Sequence, residues 1–249
     1  MDIFLNSNQY DRLLEGVWVT LQVLAFSFAL GIVLSMVFGV ARLSERRWVR
    51  AVALAYIEVF RGVSSLVLLF WFAFALPIIF GFEQPSRLLM GSVALGMNMG
   101  GYGAEIVRGA IQAVPKGQSE ASLAINLTPT QRIRHIILPQ AMPIILPPMG
   151  NLTIEILKGT ALVSTIGVSD LAFELDKIRI NRTLSETPVS IPILFFNGLV
   201  IYFILAQIVN LVFKFYERRV NSRFEQRTGS RAVDSSLLDG RQSAVAGAG

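Results

Sequence analysis

Charged residues divide this chain into long apolar stretches. Between Glu15 and Arg42 lie 26 uncharged residues, between Arg61 and Glu83 lie 21, and between Arg87 and Glu105 lie 17. A further 19 run from Ile136 to Ile154 and 27 from Thr187 to Phe213. A helix rises ~1.5 Å per residue, so about 20 residues cross a ~30 Å hydrocarbon core. The pattern predicts an all-α, polytopic membrane bundle of about five transmembrane helices, near 16–41, 52–80, 86–112, 140–168 and 189–214. The fourth contains Pro139, Pro143, Pro147 and Pro148, which predicts a kinked entry, with a weak point at Lys158-Gly159-Thr160.

Composition supports lipid as the solvent. Hydrophobic residues make up 53% of the chain and charged residues only 16%, against roughly 25% charged in a soluble domain. Met1 to Glu15 has no basic stretch ahead of a short apolar core, so it does not read as a cleaved leader. The absence of cysteine excludes disulfides and thiolate metal sites, and the single histidine, His135, excludes a histidine metal cluster. The net charge of +5 points to topology rather than to nucleic acid, because the basic residues sit beside the spans. With the N-terminus outside, the inward segments carry 15 of the 22 basic residues. Arg12, Arg87, Lys177, Arg179 and Arg182 face outward, and the bias predicts N-out, C-in. The resulting division is an extracytoplasmic segment 1–15, a transmembrane domain 16–214, and a cytoplasmic basic segment with a disordered tail, 215–249.

The segment from Ala113 to Ala141 is the longest polar insertion between spans and predicts two short cytoplasmic helices. Pro115 and Gly117 end the third span. Gln118 or Ser119 caps the first helix, Glu120 sits in its first turn where the dipole favours an acid, and Asn126 closes it. Thr128 caps the second helix with Pro129 at its first position. Ala121, Leu123, Ala124 and Ile125 leave an apolar knob on a loop that faces water, and from the residues alone such a segment reads equally as a loop lying on the lipid headgroups.

This order of residues resembles the EAA loop of ABC importer permeases, in which Glu-Ala-Ala is followed by a glycine and then by Ile-x-Leu-Pro. The matching positions are Glu120, Ala121, Ser122, Asn126, Ile136, Leu138 and Pro139, with Ser122 in place of the second Ala and Asn126 in place of the Gly. Thr20-Leu21, Glu58-Val59-Phe60-Arg61-Gly62, Tyr102 to Gly109 and Lys158 to Val163 also resemble the polar amino-acid branch of these type I permeases. Val63-Ser64, where that branch usually has Thr-Pro, resembles the ectoine and hydroxyectoine subgroup. The resemblance implies a multi-pass subunit of the bacterial plasma membrane that is not an enzyme. It also implies that Gly117, Gln118, Glu120, Ala121, Ser122, Leu123, Asn126 and Pro139 couple to a separate ATPase subunit. That partner would use ATP and Mg, while this chain binds no cofactor. The other implied partners are a second permease copy or paralogue, an extracytoplasmic solute-binding protein and a small polar or zwitterionic solute. The chain contains no Gly-x-x-x-x-Gly-Lys-Ser/Thr phosphate loop, which fits that division of labour.

Three acid–base pairs at i, i+3 lie near or within the spans: Glu58/Arg61, Glu105/Arg108 and Glu155/Lys158. The spacing lets each pair neutralise itself on one helix face. Charges within a span are costly and usually face a bundle interior or cavity. Glu58, Arg61, Glu105, Glu155, Lys158 and Thr160 are therefore candidates to line a solute path, although structural pairing explains the charges equally well. Gly31/Ser35/Gly39 and Ser92/Gly96/Gly100 read as close-packing stripes, and Asn98 and Asn151 read as interhelical hydrogen-bonders or as pathway residues. Two rivals belong to other classes. An ion-driven secondary transporter needs no EAA order and predicts inverted repeats, and a receptor-type protein needs no embedded ion pairs.

Overall fold

The computed structural model describes residues 6–81, 85–181 and 190–246, with side chains through residue 222. Arg182, counted above among the outward-facing charges, lies outside the described residues. The described chain is helical throughout, with no strand. Its helices are α1 (Ser7–Ala41), α2 (Arg47–Gly62), α3 (Ser65–Phe70), α4 (Leu76–Phe80), α5 (Arg87–Ala113), α6 (Lys116–Ala124), α7 (Pro129–Arg132), α8 (Leu138–Gly159), α9 (Leu171–Asn181) and α10 (Ile191–Ala246). Wide π-turns at Trp71–Ala75 and Ile133–Ile137 join α3 to α4 and α7 to α8, and a 3-10 segment, Thr160–Ile166, continues α8.

The exterior is apolar. Trp18 is 64% exposed, Ile78 81% and Leu211 65%, a surface that suits lipid and not water. Among the described residues two helices are long and apolar enough to cross a membrane, Ser7–Ala41 and Ile191–Ser222, and up to four spans result if each bent helix pair counts as one. α5 has the length, 27 residues, but Gly91, Gly96, Gly100, Gly101 and Gly103 dilute its apolar character.

Those small residues place α5 at the centre. The two predicted stripes interlock: a side chain at Gly31 would meet Met99, one at Gly96 would meet the Ser27 carbonyl, and one at Gly39 would meet Val107. Ser35 packs on Gly103, and the Ser27 hydroxyl donates to the Ser92 carbonyl at 3.0 Å. The numbering rises together on both helices, so α1 and α5 run parallel. Met149 packs on Gly103 and Leu95 lies nearest Gly159, so α8 runs antiparallel to α5. Tyr10 bonds to Asn197 and Phe28 meets Phe213 edge-on, so α10 runs parallel to α1. The ends of α1 and α5 and the start of α8 therefore share one end of the bundle with α6 and α7.

Three expectations need correction. The second span is not one helix, because α2 and Ser65–Phe80 meet at 103°. Gly62 ends α2, Val63 and Ser64 are extended with ψ of 137° and 135°, and α5 takes over the freed carbonyls. Asn98 Nδ2 donates to the Phe60 carbonyl at 2.7 Å and the Tyr102 hydroxyl donates to the Arg61 carbonyl at 3.3 Å. The fourth span is regular where a kinked entry was expected. α8 runs unbroken through Pro143, Pro147 and Pro148, and the irregularity falls in the π-turn ahead of Pro139. The predicted weak point holds, since α-helix gives way to 3-10 geometry at Thr160. Finally, α10 continues as helix to Ala246 through residues expected to be a disordered tail. That stretch has no proline after Pro192, and its Arg, Gln, Ala and Leu residues favour helix.

Candidate functional site

At the shared end, α6 lies as a nine-residue helix on the bundle surface. It starts three or four residues earlier than predicted, with Pro115 at its N-cap position and no side-chain cap. Gln118 and Ser119 are thus inside the helix, and Glu120 falls in its second turn, exposed. Pro115 supplies the boundary itself, having no N–H to lose at a helix start.

The close of α6 matches the prediction in detail. Asn126 has φ +56°, the only positive φ among described non-glycine residues. Its N–H donates to the Leu123 carbonyl at 2.9 Å, and the Leu127 N–H donates to the Ser122 carbonyl at 3.1 Å. This is a Schellman close, in which the left-handed residue is usually glycine. Asn accepts the position because its short polar side chain tolerates that backbone. Ser122 is buried, and its hydroxyl donates to the Ser119 carbonyl at 2.6 Å, so a small side chain suffices there. Ala121, Leu123, Ala124 and Ile125 face outward, with Leu123 55% and Ile125 67% exposed. Gln140 of α8 donates to Gln118 at 3.2 Å and ties the loop to the bundle, while Gly117 and Pro139 are exposed nearby. Thr128 caps α7 as expected, in a reciprocal box with Gln131.

Of the three predicted ion pairs, only Glu105–Arg108 forms. Arg108 Nε and Nη2 reach Glu105 Oε2 at 2.9 and 2.6 Å, and Nη1 reaches Gln112. Arg42 and Arg61 lie close enough to interact electrostatically with Glu105 as well. Glu58/Arg61 and Glu155/Lys158 make no ion pair. Arg61 instead sits over the Tyr102 ring, 5.4 Å from its centroid. The i, i+3 spacing brings side chains within reach but leaves exposed rotamers free to point outward. Thr160 is fully buried, and its hydroxyl donates to the Leu157 carbonyl at 2.7 Å.

Glu155 and Lys158 belong to a wider feature. Pro147 and Pro148, then Asn151, Glu155 and Lys158 at steps of three or four, are all exposed, so they form one stripe along α8. Pro147 and Pro148 carry no N–H, so the carbonyls of Pro143 and Ile144 lose their usual helical donors on this side. A stripe of charges and freed carbonyls is costly against hydrocarbon and calls for protein or water beside it. Because α8 runs antiparallel to α5, Asn151 and Glu155 lie at about the depth of Tyr102 and Asn98, and so of Arg61.

A polar node at the opposite end was missed in the sequence. Asp170 is fully buried at the start of α9, where Oδ1 accepts from the Phe173 N–H at 3.0 Å and Oδ2 accepts from the Tyr202 hydroxyl at 3.5 Å. The Thr20 hydroxyl oxygen accepts from the Leu171 N–H at 3.1 Å. An acid directly before Leu171-Ala172 is a helix-start signal, but its burial depends on α1 and α10 arriving there.

The fold and its exposed loop define a helical membrane component of a transport system, and comparison with known proteins agrees. Residues 28–222 match the family described as binding-protein-dependent transport system inner membrane component, and the chain belongs to it. It is 40% identical over 221 residues to a probable amino-acid ABC transporter permease protein, y4tF, of Sinorhizobium fredii, covering 87% of this chain and 89% of that one. It is 32% identical over 206 residues to the L-cystine transport system permease protein TcyB of Bacillus subtilis, covering 83% and 85%. Among solved structures, an amino acid ABC transporter crystallised with histidines superposes with a TM-score of 0.72 at 31% identity, over 84% of this chain and 94% of that one. The chain is accordingly an ABC transporter permease of the bacterial inner membrane.

Proposed function

We propose that this chain is the permease half of an ATP-driven importer for polar amino acids, oriented N-out and C-in with five crossings. The observation that carries the reading is α6, a rigidly closed helix that holds Leu123 and Ile125 outward at the end of the bundle where Arg42, Arg46, Arg47, Arg50 and Arg108 gather. An apolar knob has no reason to face water unless a partner covers it. A separate ATPase supplies that cover, takes α6 into a surface groove and uses Mg and ATP, and its closure rocks two permease subunits between outward- and inward-facing states. The parallel run of α1 and α5 supports the crossing count, because the chain between them must return once and α2 with Ser65–Phe80 makes that return.

The α8 stripe would line the path beside the second copy or paralogue. Asn151, Glu155 and Lys158, with Arg61 and Glu105 at similar depth, offer both signs of charge to a zwitterion delivered by an extracytoplasmic binding protein. Relatives named for amino acids and cystine favour amino acids over ectoine as solute. The ectoine resemblance rests on Val63 and Ser64, which form the bend after α2.

The test is uptake into proteoliposomes that contain the permease, the ATPase and the binding protein. Labelled glutamine, cystine and ectoine are compared, with ATP inside or absent. ATP-dependent amino-acid uptake is expected. Uptake without ATPase would favour the ion-driven alternative, and ectoine uptake alone would move the chain to that subgroup.

A further inference from the structure

A second feature lies on the other side of α8. A cleft of about 720 Å³ opens between α1, α8 and α10. Of its 16 lining residues only Thr153 and Tyr216 carry a side-chain oxygen. Thr153 turns its hydroxyl inward to the Met149 carbonyl at 2.8 Å. The walls are otherwise methyl, methylene, thioether and ring, with Phe28 and Phe213 packed edge-on at 6.1 Å. Along α8 the lining runs from Met142 to Thr153, a rise of ~16 Å, which is about half of a ~30 Å bilayer core. The cleft is thus one leaflet deep.

Its direction decides between occupants. At ~100° per residue, Met142, Ile145, Met149 and Thr153 centre on one side of α8, and Asn151, Glu155 and Lys158 centre on the opposite side. The polar stripe needs protein or water beside it, so the cleft lies on the side of α8 away from that neighbour. Its lining residues Leu21, Ala25, Ile208 and Val212 are exposed on the apolar exterior, which suits lipid. One turn beyond Tyr216, on the same face of α10, stands the exposed cation Arg219. Basic residues at the mouth of an interhelical pocket suit an anionic headgroup.

We propose that the cleft is a binding site for the acyl chain of an anionic phospholipid, with Arg219 at its headgroup. The proposal concerns a face distinct from α6 and the α8 stripe, so it stands or falls apart from uptake.

The full-length protein is reconstituted into vesicles of phosphatidylcholine and phosphatidylglycerol, three parts to one, re-extracted in mild detergent and weighed intact. One phosphatidylglycerol per chain is expected to survive extraction, enriched over phosphatidylcholine. Ala25→Trp fills the cleft and should lower retained lipid by at least about fivefold, since each buried methylene adds to membrane-lipid affinity. Arg219→Gln should keep a lipid but lose the preference for phosphatidylglycerol. Val33→Trp, on the exposed side of α1, should change neither. The wild-type measurement needs no variant to fold, and wild-type protein that retains no lipid overturns the proposal. Retention unchanged in Ala25→Trp overturns the cleft as its location, and unchanged headgroup preference in Arg219→Gln overturns the role of that residue. A disulfide between two copies carrying Val212→Cys would seat a second chain in the cleft and overturn the proposal outright.

Discussion

The two ends of this bundle are built differently. Where α9 begins, the chain closes on itself: Leu171 donates into Thr20, Asp170 is fully buried against Tyr202, and Gly16 leaves no room over the Leu171 backbone. At the other end α6 lies on the bundle surface, tied by Gln118 to Gln140, and shows Leu123 and Ile125 to the outside. One end buries its apolar groups and bonds Asp170, Thr20 and Tyr202 within the bundle, and the other leaves an apolar surface exposed. A substitution should therefore damage folding at the first end and coupling at the second.

Accessibility gives an all-or-none version of that contrast. The chain has no native cysteine, so single cysteines at Ser44 and Thr130 should react only from the cytoplasm, and one at Ser169 only from outside. Outside labelling at Thr130 would overturn both the orientation and the coupling role of α6. Next in size is Gly16→Leu, whose Cβ would sit 2.9 Å from the Leu171 Cα, where backbone cannot yield. Overpacking typically costs about 1–3 kcal/mol, and a clash against backbone falls at the upper end of that range. Folded protein in membranes should be nearly lost, and normal yield with an unchanged melting temperature would refute the closed-end description.

Glu120→Lys should reverse the pattern. The site is exposed, so stability should shift by no more than about 0.5 kcal/mol. ATPase co-purification and uptake should nevertheless fall at least about tenfold, equivalent to ~1.4 kcal/mol of docking energy. Wild-type uptake would remove α6 from the coupling role. Asp170→Ala, back at the closed end, removes a helix cap and leaves Tyr202 with one partner fewer, which should cost about 2 kcal/mol by thermal unfolding. The smallest effect is expected for Thr128→Ala, which loses the α7 cap at about 1 kcal/mol. If that cap matters only to α7, uptake should remain near normal.

The loop around α6 was readable because its geometry is local. Asn126 and the Thr128–Pro129 start depend on backbone preferences of a few consecutive residues, and such preferences travel with the sequence. The opposite is true of the ion pairs. Spacing allowed three, yet Arg61 found the ring of Tyr102, a residue 41 positions away, and Glu58 was left without it. The bend at Gly62-Val63-Ser64 was hidden for the same reason, since it is stabilised by Asn98 and Tyr102 from α5 and no local signal marks those acceptors.

By itself the sequence determined the solvent, the helical class, the apolar segments and the loop that resembles a coupling motif, because periodicity and charge spacing act within a turn or two of helix. It also determined that Gly31/Ser35/Gly39 and Ser92/Gly96/Gly100 would allow close approach. Only the tertiary structure decided that these two stripes meet each other, in parallel, and so carried α6 and the basic residues to one end. It alone turned Asn151, Glu155 and Lys158 to one side of α8 and the apolar cleft to the other, and buried Asp170 where three distant helices converge. Those outcomes depend on contacts between residues far apart in the chain, whose energies no single segment contains.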